Sequence, residues 1–441
     1  MGTLLIALAI FLVTYALISI RRFPKVKVDR AAAALLGAGL MIVFGVVKPG
    51  DALGAINMDI VILLVGMMIL VAGLELCGFF EWVSLRMIKY SKDQFSFLVL
   101  TMLITGGLSA LVLNDTIVLL FTPIIIRTCR LLKSNPVPFL VAEAIAANIG
   151  SVATAVGNPQ NAYIATKAGI SFVDFSARLL PVSAVCMLIA IAILYLFYKR
   201  DIQQGNAQEF RRKILKDGWK AFEAELVKGD ALTVSGIKKL RERINGLYAL
   251  TVITTLTFGA FVASHFLGTP IAVVAFLGGI AALFTVPLLT DVKARDILGG
   301  VDWSIILFFV GLFIVIQGVK ESLLLGEIEG FFPGFKVGEQ PTVAWLTALG
   351  AFLSNLVSNV PAVMLLSELL HNAPTELWLA LASSSTLAGN ATILGAAANV
   401  IVAEKAEGMG VEVNFWKFTL VGFPIAMVTL FVSTLMLLYL F

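Results

Sequence analysis

Histidine and cysteine are scarce in this chain, with two of one and three of the other among 441 residues. His265 and His371 lie far from every polar motif described below. No HExxH occurs and no serine pairs credibly with either histidine, which argues against catalysis; no enzyme activity and no cofactor are expected. Cys77, Cys129 and Cys186 show no paired spacing. They read as buried apolar fillers and not as a disulfide framework or a thiolate metal site. Charge is short as well: Asp, Glu, Lys and Arg make up 14% of the chain, against about 25% in a soluble domain. Hydrophobic residues make up 59%, and many apolar runs approach the ~20 residues needed to cross a bilayer. The chain reads as an all-α polytopic membrane protein, with the bilayer and a small molecule or ion as its partners and no nucleic acid. The first run, Thr3 to Ile20, has its charges after it and none of them basic before it, so it reads as a spanning helix and not a cleaved signal.

What the chain does have is itself, twice. LSALVLNDTIVLL, from Leu108 to Leu120, matches LSNLVSNVPAVML, from Leu353 to Leu365, which puts Asn114 and Asn359 at equivalent positions 245 residues apart. The same offset aligns ILLVGMMILVAG with LFFVGLFIVIQG, so that Gly66 meets Gly311 and Gly73 meets Gly318. GNPQNAYIATKAG, from Gly157, matches GAAANVIVAEKAEG, from Gly395, at an offset of 238. A duplicated membrane chain with polar breaks at matching places is the pattern of a secondary transporter.

In the first repeat (1–198) spans are expected near 3–20, 31–48 and 58–78, followed by an interfacial helix over 81–92. The segment 94–133 is apolar on both sides of Asn114-Asp115-Thr116, with one arm too short for a full span, so a re-entrant hairpin is expected. A helix over 137–168 is broken by GSVATAVGNPQN, and a span near 178–198 closes the repeat. The polar stretch 199–245 reads as a cytoplasmic linker; Phe210, Ile214, Trp219 and Phe222 would line one face of a surface helix in it. The second repeat (246–441) brings spans near 246–266, 270–288 and 302–319. A surface segment at 320–340, a hairpin over 341–372, a broken helix over 375–405 and a last span over 416–440 complete it. Five crossings and one hairpin per repeat force the repeats to be inverted. Placing the basic loop 21–30 inside leaves only Lys48, Lys167, Arg178, Lys320 and Lys336 of the 32 Lys and Arg outside. Both termini are then expected to face outward.

A helix broken in hydrocarbon exposes unpaired backbone groups, each costing several kcal/mol, so a break persists only where it lines a cavity or binds something. Half-helix N-termini offer amides to an anion or a neutral oxyacid, and free carbonyls suit a hard cation. Each tip is expected beside the break of its own half. The candidate residues of the first half are Asn114, Asp115, Thr116, Asn148, Ser151, Thr154, Gly157, Asn158 and Asn161; those of the second are Ser358, Asn359, Pro361, Ser385, Gly389, Asn390, Thr392 and Asn399. A single serine or threonine in such a set ordinarily bonds back to its own helix. The asparagines recur at repeat-related positions, which points to site architecture. Asp115 and Glu143 are the two carboxylates deep in the predicted membrane and are the proton-coupling candidates. Asp115 has a structural alternative as the N-cap of the second hairpin arm, and Glu143 a position facing water near the cytoplasmic end. Val360 stands where Asp115 does, so one ionisable site is expected. No Lys or Arg lies in any signature, which favours an uncharged or weakly charged substrate.

LNDTIVLLFTPI, NIGSVATAVGNPQN, SNLVSNVPAVML and GNATILGAAANVIVAE resemble the ion transporter superfamily that includes the ArsB arsenite permeases. The GNPQN and SNVP forms are similar to the branch containing plant silicon efflux transporters. Sodium/dicarboxylate symporters, NhaD-type antiporters and the melanosomal P protein are related members. The resemblance implies that tips and unwound loops form the ion and substrate sites, that transport is of the elevator type, and that the chain is a homodimer in a prokaryotic-type inner membrane. The symporters carry Ser-Asn-Thr at both tips, from which Asn114-Asp115-Thr116 and Ser358-Asn359-Val360 depart. The leading expectation is proton-coupled efflux of arsenite, antimonite or silicic acid. The alternative is a sodium-coupled anion or dicarboxylate transporter or a sodium/proton antiporter, with sodium at Asn114, Asn158 and Asn359.

Overall fold

The structure, a computed structural model, describes residues 2–20, 29–131, 134–203, 243–331, 342–370 and 372–440. Most of the 21–30 basic loop, the predicted linker helix with Phe210, Ile214, Trp219 and Phe222, Lys336 and His371 fall outside the described residues. In the first half the helices are α1 (Gly2–Ile20), α2 (Arg30–Val43), α3 (Pro49–Gly54), α4 (Met58–Leu76), α5 (Phe79–Tyr90), α6 (Gln94–Leu111), α7 (Asn114–Leu131), α8 (Val137–Ser151), α9 (Pro159–Ala168) and α10 (Phe172–Gln203). The second half holds α11 (Ile244–Leu267), α12 (Ile271–Leu289), α13 (Ala294–Gly299), α14 (Trp303–Glu321), α15 (Leu324–Phe331), α16 (Val343–Val357), α17 (Asn359–Ser367), α18 (Thr375–Leu387), α19 (Ala397–Gly408) and α20 (Phe415–Tyr439). Short 3₁₀ turns at Ala388–Ala391 and Ile393–Gly395 lie between α18 and α19.

Eight of these helices are long and apolar enough to cross a membrane, and α2, α8 and α16 are shorter apolar helices. Large apolar side chains stay exposed along α11, α12 and α20, including Phe284, Leu288 and Phe431, as a lipid-facing surface requires. The chain is an integral membrane protein. The duplication is visible in the elements themselves. α3 and α13 begin and end 245 residues apart, as do α4 and α14, and α7 and α17 begin 245 apart. Local chemistry repeats with them. Asn57 caps α4 by accepting from Ile60 N, and Asp302 at the matching position caps α14 by accepting from Ser304 N.

Packing sorts the long helices into two bundles. One, the frame, is built from α1, α2, α4, α11, α12 and α14, and the other from α6 to α10 and α16 to α20. In the frame each half leans on the other: α4 crosses α12, and α14 crosses α2. The crossings are close because they are made at glycine. A Cβ on Gly66 would stand 2.5 Å from the Ala275 carbonyl, and one on Gly311 would stand 2.6 Å from that of Ala34. Gly318 faces Met41, and Gly73 faces Leu250 with Val286 just beyond it; Met41 and Val286 are themselves 245 residues apart. In the second bundle α6 packs on α8 and α16 on α18, while α19 lies against α7 and α8 of the other half. The two bundles touch where α9 meets α4, α10 meets α11, α1 meets α16 and α14 meets α17.

Gly66→Val and Gly311→Val are each expected to lower thermal stability in detergent by about 1–3 kcal/mol or to prevent folding, as overpacking does. Gly107→Val, at a site where an added Cβ would meet nothing within 4 Å, is expected to change the melting temperature little.

Candidate functional site

Two breaks and two tips meet inside the second bundle. The first break runs from the end of α8 at Ser151 to Asn158, and the second from Ala388 to Ala396. Each is stitched by one asparagine. Asn161 donates from Nδ2 to the carbonyls of Ser151 and Thr154 at 3.0 and 3.1 Å. Asn399 donates from Nδ2 to the carbonyls of Gly389 and Thr392 at 2.8 and 2.9 Å. Ser151 and Gly389, Thr154 and Thr392, and Asn161 and Asn399 are all 238 residues apart, so the two clips are the same device. They satisfy carbonyls that a continuous helix would have paired. Gly157 and Gly395 make the turns possible, since a Cβ on either would stand 2.4 Å from the carbonyl oxygen of Ser151 or Gly389.

Each tip sits beside its own break, as expected from the duplication. Asn114 N donates to Gly157 O at 3.1 Å, and Thr154 Oγ1 donates to Ala110 O. In the second half Asn355 Nδ2 donates to Ala388 O at 3.0 Å. The halves are then joined by Asn148. Its Oδ1 accepts from Asn114 Nδ2 at 3.3 Å, and its Nδ2 donates to Asn390 Oδ1 at 3.0 Å and Asn399 Oδ1 at 2.9 Å. Asn158 caps α9 through Asn161 N, and its Nδ2 reaches Ser151 Oγ at 3.0 Å and Thr386 Oγ1 at 3.3 Å. Thr386 also accepts from Gln160 Nε2 at 3.2 Å.

The convergence leaves a small inner cavity of about 50 Å³ and a wider outer one of about 250 Å³. Asn114, Asp115, Ser358, Asn359 and Val360 bring both tips to the inner cavity, and Gln160 and Ala397 bring the start of each second half-helix. Arg30, Asp115, Ser358 and Ala397 line both spaces, while Asp29, Asp302 and Glu404 belong to the outer one. Asn359 Oδ1 and Asn390 Nδ2 are buried without a hydrogen-bond partner among the described residues. Asn359 lines the inner cavity, so its oxygen is an acceptor left for something else, whereas Asn390 lines neither cavity.

The sequence pattern of the family described as Citrate transporter (CitMHS) matches residues 15–374 of this chain. The chain belongs to that family. A 46 kDa membrane protein of Mycobacterium leprae is 31% identical over 96% of both chains. The silicon efflux transporter LSI3 of Oryza sativa subsp. japonica is 29% identical, covering 92% of this chain and 91% of its own. A putative transporter arsB of Dictyostelium discoideum is 28% identical over 90% of this chain and 85% of its own. The crystal structure of the YdaH transporter of Alcanivorax borkumensis aligns with 99% of this chain and 97% of its own, at a TM-score of 0.48 and 13% identity.

Several expectations for this citrate-transporter-family chain need correcting. Asp115 is not the N-cap of the second arm: α7 starts at Asn114, so Asp115 sits in its first turn, where the helix dipole favours a carboxylate. Glu143 does not face water. It is fully buried, Thr122 Oγ1 donates to its Oε2 at 3.0 Å, and its Oε1 has no partner among the described residues. Thr116 is half-buried and lines neither cavity. Ser385 bonds back to Ala382 O at 3.1 Å, the ordinary fate of a helical serine. The Pro361 carbonyl accepts from Tyr15 of the frame at 3.1 Å. Arg30 is the larger omission. No cation lies in a signature, yet the start of α2 supplies one to both cavities. Gln160 and Thr386 were also overlooked. Thr386 stands 238 residues after Asn148, so the repeat itself pointed to it.

Asn148→Ala removes the link between halves and leaves Asn114, Asn390 and Asn399 each short of a partner. A loss of about 2–4 kcal/mol in thermal stability is expected, since each buried polar group left unpaired costs about 1–3 kcal/mol. Ser385→Ala, which gives up only a back-bond, is expected to melt like the parent.

Proposed function

We propose that this family member is a proton-coupled secondary transporter that exports small uncharged oxyacids, with arsenite, antimonite and silicic acid as the candidate substrates. The inner cavity carries the reading. At about 50 Å³ it is far smaller than the ~300–1,000 Å³ of sites for drug-sized ligands. Its polar lining is the amides of Asn114, Gln160 and Asn359, the Ser358 hydroxyl, Asp115 and Arg30, and the Asn359 carbonyl oxygen has no partner among the described residues. A hydroxyl group of an oxyacid would donate to Asn359 Oδ1, which lines the cavity. The cavity walls also disfavour a polyanion, because Asp29, Asp115, Asp302 and Glu404 outnumber Arg30 along the approach. The silicon efflux and arsB-named relatives support the same substrate class.

Asp115 is the coupling group in this scheme, as the acid common to both spaces and fixed on a tip. The duplicated architecture supports alternating access. The second bundle, with its two hairpins and two broken helices, moves as an elevator against the frame, and the two halves cross the membrane in opposite senses with both termini outside. Under that topology Arg30, Asp302 and Glu404 lie on the cytoplasmic side, so the outer cavity is the inward-facing approach. Two observations favour a second reading: the family description and Arg30 in both cavities fit a sodium-coupled carboxylate carrier.

Proteoliposomes with an imposed proton gradient, then a sodium gradient, separate the two. Proton-driven accumulation of arsenite or germanic acid (a silicic acid analogue) is expected, with Asp115→Asn losing at least tenfold of it while melting like the parent. Sodium-driven citrate or succinate flux without oxyacid movement would establish the second reading, and unaltered proton-driven flux in Asp115→Asn would remove Asp115 from the mechanism.

A further inference from the structure

Three charged side chains meet far from the cavity, at the opposite end of α14. Glu368 follows α17, and its side chain is 8% exposed. Lys167 of α9 reaches its Oε1, and the same ammonium donates to Tyr163 Oη and Ser367 Oγ at 3.0 Å each. Lys320, near the end of α14, reaches Oε2 at 2.7 Å. Lys167 and Glu368 belong to the second bundle, whereas Lys320 belongs to the frame. α14 therefore touches the second bundle at both ends. Asp302, Ser304 and Ile305 line the outer cavity at its start, and Lys320 holds Glu368 at its finish. Its 19 residues separate the two contacts by roughly 28 Å.

The triad is divided in a particular way. Lys167 and Glu368 ride together, so their pair survives a movement of the second bundle. Displacement of that bundle along α14 instead takes Oε2 of Glu368 away from Lys320 and leaves a nearly buried carboxylate oxygen without its second cation, which is costly in a low-dielectric setting. The device has no twin in the other half, because Pro123 stands at the position equivalent to Glu368.

We infer that the Lys320–Glu368 pair is a latch between frame and second bundle that favours the conformation in which the cavity opens beside Arg30, Asp302 and Glu404. The inference rests on the alternating-access reading above. Removing the latch raises the share of molecules in the opposite conformation without touching the substrate site.

Phe313 of α14 is nearly buried, with its ring 6.1 Å from that of Tyr163 across the boundary between bundles. A thiol in its place reacts only when the second bundle moves off. The full-length Phe313→Cys protein in open membrane sheets is treated with a hydrophilic maleimide; Cys77, Cys129 and Cys186 are buried, so background is low. Lys320→Met is expected to raise the labelling rate about fivefold, the upper range for a partly exposed ion pair, with Lys320→Gln doing the same and Lys320→Arg restoring the slow rate. Equal rates in the parent, Lys320→Met and Lys320→Gln would overturn the latch. So would a raised rate that Lys320→Arg fails to restore. If the parent thiol's labelling responds neither to a change of pH nor to germanic acid, the alternating-access reading itself fails.

Discussion

The constraint on which this structure depends is the obligation of every backbone carbonyl inside a membrane to find a donor. Breaking α8–α9 and α18–α19 orphans several carbonyls at once. The chain answers with one side chain per break: Asn161 holds the carbonyls of Ser151 and Thr154, and Asn399 holds those of Gly389 and Thr392. A primary amide is the suitable tool, because it carries two N–H donors and needs no charge. With the carbonyls satisfied internally, the breaks can stay open as polar surfaces without the several kcal/mol that bare backbone would cost. The start of each second half-helix is then free to face a cavity.

Around that core the two halves play unequal parts. Asn148 gathers Asn114, Asn390 and Asn399 into one network, whereas its counterpart Thr386 accepts from Asn158 and Gln160 and donates to Ala382 O of its own helix. Asp115 faces the cavity from one tip and Val360 from the other. The duplication thus supplies a symmetric scaffold of clips and glycine crossings, and substitutions at a few positions put a carboxylate on one tip only. The frame shows the same economy. Gly66 and Gly311 allow backbone contact at the crossings between halves.

Much of this was legible in the sequence because it is local or repeated. Helix ends, the polar breaks and the Gly66 and Gly311 positions follow from hydropathy, from turn-forming residues and from an offset that holds across the chain. Tertiary facts were less legible. Arg30 sits at the start of an unremarkable span, and nothing in its neighbours says that it reaches a cavity built by other helices. The sequence leaves Glu143 either deep in the membrane or facing water at the cytoplasmic end; Thr122, 21 residues away, provides its hydrogen bond in the interior. Ser385 went the other way: it lies in a motif, yet its hydroxyl serves only its own helix. Hydrogen-bond partners across long sequence separations carry no periodic signal, and the Asn148 links to Asn390 and Asn399 are of that kind.

The central claim is that the small cavity between the two tips is where the substrate rests. Protection of a thiol there tests it most directly. Val360 lines the inner cavity, so the Val360→Cys protein would be labelled with a small maleimide in the absence and presence of saturating germanic acid, beside Leu36→Cys on an exposed helix face. The account predicts that germanic acid slows labelling at position 360 several-fold and leaves position 36 unchanged. Equal labelling at 360 with and without germanic acid, in protein that transports it, would contradict the claim and place the substrate elsewhere.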